Sequence, residues 1–311
     1  MNASIPVAPE VTGAVRLHDW GVIRATGADT LSFLHGQLTQ DVAKLELGQA
    51  RLAGFCSAKG RLQATFVVWR HDSDQVFLAC SADLLPAVLK RLSMFVLRAQ
   101  CKLSDASAEL PLWGEAGGLL PSQDVWTCTT DGQADVVRLP DGLFMGRPVP
   151  RRLWAGAAPA VEHTLDTLDL ETWRGLEASS GVARVTAATA ERFVPQMINL
   201  ELVGGVNFQK GCSPGQEVVA RSQYRGTLKR RAQLVVAGAA LQPGQEIFHD
   251  ADPGQPAGMV VLAGSLPGLG HLALVEVKLA ALQNGSLHAG AVGGAPLTLT
   301  ALPYGIPTEQ A

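Results

Sequence analysis

Charge and cysteine are both scarce in this chain. Charged residues make up 17% of the 311, and 25 Lys and Arg fall just short of 28 Asp and Glu, for a net charge of −3. A broad nucleic-acid-gripping face needs a strong positive excess, so a globally basic binder is excluded and only a local basic patch stays open. The five cysteines are odd in number and none stands in a CxxC pair, which indicates neither a disulfide framework nor a thiolate zinc site. No stretch approaches the roughly 18 uninterrupted apolar residues of a membrane span. The opening Met1-Asn2-Ala3-Ser4-Ile5-Pro6 lacks the basic and apolar regions of a secretory signal. No P-loop, HExxH or GxGxxG occurs in the context each needs. The expectation is a cytoplasmic, membrane-free globular protein. Its 47% apolar content supplies core for roughly two to three domains at this length.

The apolar residues fall into readable patterns. Gly21–Ala25 reads as a strand, and Asp29 as the N-cap of a helix presenting Leu31, Leu34, Leu38 and Val42 on one face. Arg51–Cys56 and Leu62–Trp69 read as strands joined by the tight turn Ser57-Ala58-Lys59-Gly60, with Val76–Cys80 as a third. Ser81 then caps an amphipathic helix with Leu84, Leu85, Val88, Leu89, Leu92 and Phe95 inward and Lys90, Arg91 and Arg98 outward. Cys101–Leu103 returns as a strand. This order predicts an antiparallel α+β arrangement, not the regular βα alternation of a doubly wound sheet. Residues 111–159 are turn-rich, with a short strand at Val136–Leu139. A helix over Leu168–Ser180 carries Leu170, Trp173 and Leu176 on one face and stops at Gly181. After Lys229-Arg230-Arg231 the helical period disappears. Gln233–Ala237, Gly258–Leu262, Leu272–Val277 and Gly290–Val292 read as strands of a small barrel.

One stretch carries chemistry. Gly211-Cys212-Ser213-Pro214-Gly215 fits the GxSxG of a hydrolase elbow. That elbow needs a backbone N–H after the nucleophile, which Pro214 lacks, and a helix where Pro-Gly favours a turn. Gly204–Phe208 reads as a turn and then a strand, giving no helix N-terminus for a pyrophosphate. Free cysteines are usually small buried hydrophobes, which suits Cys80, Cys101 and Cys128. Cys212 differs, because it lies in a polar loop between Gly211 and Gly215, two residues from Lys210, whose ammonium favours a thiolate. Arg221, Arg225, Lys229, Arg230 and Arg231 follow with no acid between them. They read either as a solvated face or as an anion site for a carboxylate or an RNA phosphate.

The run Val194–Arg231 carries Pro195-Gln196, Asn199-Leu200, Gly204-Gly205, Phe208, Lys210-Gly211-Cys212, Gly215-Gln216-Glu217, Ala220-Arg221 and Tyr224-Arg225-Gly226. That pattern closely resembles the YgfZ family of folate-binding proteins, relatives of the glycine-cleavage T-protein. Asp19-Trp20, Thr26–Asp29, His35–Val42, Cys56–Arg61 and Leu302-Pro303-Tyr304 resemble its other blocks in the expected order. The resemblance implies an α+β, GcvT-like fold in which two ferredoxin-like units surround a central folate funnel. Residues 1–230 would form that region, divided near 105–165, and 231–311 a C-terminal β-barrel. It implies tetrahydrofolate or a derivative as cofactor, held by Trp20 and Trp173, with Arg221 and Arg225 as cations for its glutamate tail. It implies Cys212, with Lys210, as the functional centre, within a motif loop that includes Gly211, Gly215, Gln216, Glu217 and Tyr224, and no resident metal. The implied role is support of iron–sulfur cluster assembly and of iron–sulfur-dependent tRNA modification. Client enzymes are then the partners, and direct tRNA binding is not indicated by the net charge. A folate-dependent aminomethyl-type transferase and an RNA- or protein-binding module are the alternatives. Two departures stand out: Ser213-Pro214 follow the cysteine, and Ser179 replaces the family's usual Glu, with Glu177 two positions earlier.

Overall fold

The computed structural model describes residues 11–118, 123–159, 168–211, 213–224 and 228–307. The chain begins with β1 (Gly13–Arg16), β2 (Trp20–Thr26), α1 (Thr30–Gln37), β3 (Ala50–Cys56), β4 (Leu62–Arg70), β5 (Gln75–Ser81), α2 (Leu85–Ser93) and β6 (Lys102–Asp105). It continues through β7 (Leu112–Ala116), β8 (Cys128–Asp131), β9 (Ala134–Phe144), β10 (Arg147–Ala155), α3 (Leu170–Ser179) and α4 (Gln216–Tyr224). Then follow β11 (Arg230–Ala237), β12 (Glu246–His249), β13 (Asp252–Leu266), β14 (Gly270–Lys278), β15 (Leu287–Ala289) and β16 (Pro296–Thr300).

Strands β3-β4-β5-β2-β6 form one five-stranded sheet and β1-β7-β10-β9-β8 a second. The pairings within both are antiparallel. The chain therefore enters through the second sheet at β1 and crosses to the first at β2. Strands β11-β14-β13-β12-β15-β16 close into a barrel, where β16 returns to pair with β11. The expected α+β class and the C-terminal barrel are both observed.

Local sequence explains these elements. In β4 the run Leu62–Arg70 is buried at nearly every position, as a strand covered on both faces requires. Gly60 takes φ +72° in the turn before it, with its N–H on the Ser57 carbonyl (2.8 Å), a conformation for which glycine is suited. Asp169 caps α3 by accepting from the Thr172 N–H (2.6 Å), and Gly181 follows its end at φ +68°. One core cluster runs through both sheets and α3 into the barrel wall. A second fills the barrel.

Several local expectations need correction. Asp29 makes no side-chain cap; its carboxylate accepts from the Gln100 N–H instead (2.7 Å). Ser81 ends β5 and does not cap α2, whose N-cap position is Leu84 with Pro86 in the first turn. Phe95 lies beyond the end of α2 and is exposed. Residues 204–208 hold turns and no strand, and β15 ends at Ala289, before the strand expected at Gly290–Val292. A helix, α4, does follow Pro214-Gly215. The missing N–H of Pro214 still argues against an elbow. No helix of the described residues is long and apolar enough to cross a membrane.

Candidate functional site

Helix α3 is wedged between the second sheet and the barrel, and glycines set how closely. A Cβ on Gly175 would meet the Ser265 carbonyl oxygen at 2.6 Å, and one on Gly114 of β7 would meet the Trp173 ring at 2.6 Å. Trp173 therefore lies on β7 backbone and is fully buried. One turn further, Glu177 reaches toward a narrow central cavity lined from the first sheet by Leu52, Thr65, Phe66 and Val67 and from the second by Leu139, Pro140 and Arg151. Trp20, Trp126, Val182 and Arg184 complete its wall.

Arg184 organises one side of this cavity. Its Nε and one Nη donate to the two Glu177 oxygens (2.7 and 3.0 Å), that same Nη to Asp19 Oδ2 (3.1 Å), and the other Nη to Ser81 Oγ (3.1 Å) and the Asp19 carbonyl (3.3 Å). Five contacts use all five guanidinium donors. Burial alone would lower the pKa of Arg184, but the charges and hydrogen bonds of Glu177 and Asp19 raise it. Burial pushes the Asp19 carboxyl up, and the guanidiniums of Arg184 and Arg174 outweigh this and hold it below the ordinary carboxylate range. The Arg184 guanidinium also stands 4.7 Å from the centroid of the Trp20 ring. Trp20 Nε1 is buried with no hydrogen-bond partner among the described residues. Beyond Arg184 a wider, more polar cleft opens against the barrel, lined by His18, Asp19, Glu171, Arg174 and Pro243.

Arg151 belongs to the opposite wall. Between the pairs Leu139–Arg151 and Gly142–Val149, two residues of β9, Pro140 and Asp141, face the single Pro150 of β10. A bulge at paired prolines breaks the ladder and turns the next side chain. That side chain is Arg151, only 3% exposed. Its Nε donates to the Pro140 carbonyl (3.0 Å) and its guanidinium lies 5.2 Å from the Trp173 ring centroid. Burial lowers its pKa to about 10 despite nearby Glu177 and Asp141. Trp126, also on the wall, holds a φ of +70°, an outlier for a bulky residue of the kind that gathers at functional sites.

The expected site residues thus divide. Trp20 lines the cavity. Trp173 stands behind Arg151, and the second tryptophan on the wall is Trp126. Lys210 is buried, and its Nζ donates to the carbonyls of His35 (2.7 Å) and Leu38 (2.8 Å) at the end of α1. Gly215, at φ +72°, packs on the β3–β4 turn, where a Cβ would meet Gly60 Cα at 2.7 Å. The side-chain oxygen of Gln216 accepts from Ser213 N (2.7 Å), while its amide donates to the Lys210 carbonyl (3.4 Å), closing the motif loop on itself. Gly211 is exposed, its nearest neighbour in the Cβ direction being His35 Nε2 at 3.8 Å. Cys212 and Arg225 lie outside the described residues, as does the side chain of Tyr224.

Neither Lys210, Gly211 nor any described residue of the loop lines the central cavity. Exposed Arg221 pairs with exposed Glu217 on α4 (2.8 Å), Arg230 with Glu276 (2.9 Å), and Arg231 with Glu201. Three cations of the basic run are therefore paired, Arg221 with an acid one helical turn away and Arg230 and Arg231 with acids distant in sequence. Sequence reading missed Arg184, Arg151 and Trp126. Arg151 did carry a signal, since it falls in phase with the apolar Val149 and Leu153 of its strand, where a charge is out of place.

A scan against protein-family models finds no match. The chain is 30% identical over the full length of both proteins to "tRNA-modifying protein YgfZ" of Edwardsiella ictaluri. It is 31% identical to the protein of that name from Photobacterium profundum, over 73% of this chain and 70% of the other. Among solved structures it is similar to the glycine cleavage system aminomethyltransferase T from Bartonella henselae, with a TM-score of 0.70 and 16% identity over 94% of this chain and 86% of that one. This last likeness establishes the GcvT-like fold.

Proposed function

The chain belongs to the YgfZ family, and from that premise we propose that it is a folate-binding protein of the cytoplasm that supports tRNA modification. The observation that carries the folate reading is the chemistry of the central cavity, where aromatic faces and a few buried polar groups converge, as a flat heterocycle requires; with about 30 Å³ of open space it would take such a ring only as its walls move apart. The orphaned Trp20 Nε1 fits the same ligand, since a buried donor without a partner calls for an acceptor. Trp20 and Trp126 would flank the ring, Glu177 would accept from its amino edge, and Trp173 would act indirectly by backing Arg151. When bound, tetrahydrofolate supplies ring nitrogens able to carry one-carbon units. Arg221 and Arg225 are offered for the glutamate tail.

The finer role is support of iron–sulfur client enzymes through Cys212. Burial pushes Cys56, Cys80 and Cys128 up to about 12, and Cys101 is raised for the same reason. Those four thiols are therefore poor nucleophiles at neutral pH. The motif loop around Cys212 is secured by Lys210, Gly215 and Gln216.

The test sets wild type, Trp20→Ala and Cys212→Ser side by side. Tetrahydrofolate should quench indole fluorescence in wild type and Cys212→Ser, and Trp20→Ala should weaken binding by about 1–3 kcal/mol. Cys212 should take up a neutral-pH alkylating agent before the other four thiols, and Cys212→Ser should fail to rescue a strain lacking its own family member. No folate binding by wild type would sink the reading, and full rescue by Cys212→Ser would sink the cysteine's role.

A further inference from the structure

The two nitrogen ends of Arg151 are unusual for a charge so deeply placed. The side chain is 3% exposed, yet its only described hydrogen bond is the one from Nε to the Pro140 carbonyl. Neither Nη has a hydrogen-bond or ion-pair partner among the described residues, and the residue lines the central cavity. The nearby carboxylates are already occupied: both Glu177 oxygens take Arg184, and Asp141 takes Arg138 (2.5 Å). The Nη groups are not sealed in protein but open onto the cavity, so what the cavity holds must complete this guanidinium. The bulge at Pro140 and Pro150 and the indole of Trp173 beneath hold it there all the same.

What would complete it follows from its neighbours. An incoming carboxylate would share the cavity with the Glu177 carboxylate, a like charge in a poorly solvated place. A neutral ring carrying a carbonyl beside N–H groups has no such conflict. Its oxygen suits Arg151, and its donors suit the lone pairs that Glu177 retains.

We propose that Arg151 is a specificity-determining residue of this cavity, whose Nη groups donate to a ring carbonyl of the ligand, so that the site takes a pteridine bearing that carbonyl and rejects the diamino analogue in which an amino group replaces it. The inference rests on the folate reading and names the ring atom that reading leaves open. An amino group in that place turns a donor toward a donor and leaves the buried cation unpaired.

Calorimetric titration of the full chain tests it, with folate, its diamino analogue, and pteroate, which lacks the glutamate tail. Wild type should prefer the carbonyl ligand by roughly tenfold or more. Arg151→Met should bind the two rings within about threefold of each other, with a Tm unchanged or raised, because an unpaired buried charge has been replaced by an apolar chain of similar length. Arg151→Lys should keep part of the preference. The effect should be the same with pteroate, since the tail is not what Arg151 meets. A methionine variant that keeps the preference overturns the assignment. So does a loss confined to ligands carrying the tail, or a fallen Tm, which would make Arg151 a structural cation. If wild type binds none of the three ligands, the folate reading itself falls, a result recognised before any variant is made.

Discussion

The two walls of the central cavity each hold a buried arginine, and they use it in opposite ways. On the α3 side Arg184 spends every donor on Glu177, Asp19 and Ser81. On the β9–β10 side Arg151 has one hydrogen bond and an indole face. The first arrangement is complete within the chain and ties β2, β5 and α3 to one point. The second leaves both Nη groups open to the cavity. Depth of burial therefore does not separate a structural cation from a binding one; the count of satisfied donors does.

Removing the complete cation should do the most damage. Arg184→Met strands Glu177 and Asp19 and is expected to lower stability by about 3–5 kcal/mol in urea unfolding. A loss under about 1 kcal/mol would erase the contrast with Arg151. A smaller effect should appear in acid. The Asp19 carboxyl is depressed in the folded chain, so its contribution is full above the ordinary carboxylate range and disappears as pH falls through the folded value. Asp19→Asn should accordingly flatten the acid limb of a Tm-against-pH curve, and an unchanged limb would place the acid sensitivity elsewhere. The smallest effect is expected on α4, where both partners of the Arg221–Glu217 pair are exposed. Arg221→Ala should change stability by no more than about 0.5 kcal/mol. A larger loss would mean that α4 has contacts beyond that pair.

Much of the fold was legible because strands and helices announce themselves locally. The apolar run of β4, the Gly181 stop after α3 and the loss of helical period after Arg231 are all signals within a few residues. The site was less so. Asp19 and Arg184 are 165 residues apart, and no spacing rule joins them. Ser81 shows the same difficulty in miniature: its hydroxyl accepts from Arg184, a partner invisible from the sequence, so it reads as a helix cap. Lys210 was singled out for its neighbour Cys212, whereas its ammonium is engaged by two carbonyls from the end of α1. Trp20 was reached through the family resemblance, as was Trp173. Trp126 was not, because the left-handed backbone that turns it inward comes from long-range pairing with Arg138 and Ala50.

Near the C-terminus the hydroxyl of Tyr304 donates to the Gly181 carbonyl (2.8 Å) and accepts from Asn199 Nδ2 (3.3 Å). The helix that carries Glu177 is thus fastened by a residue 123 positions later in the chain, and it also leans on the Ser265 backbone of β13. On a ribosome moving at about 5–20 residues per second, that separation is a wait of roughly 6–25 seconds. During that time both five-stranded sheets can form and α3 can pack on β7 and β9 of the second, while its barrel-side face still lacks a partner. Time therefore belongs to the site's assembly: every residue that lines the cavity has been made once Arg184 emerges, and the tether that fastens the end of its helix arrives only with Tyr304.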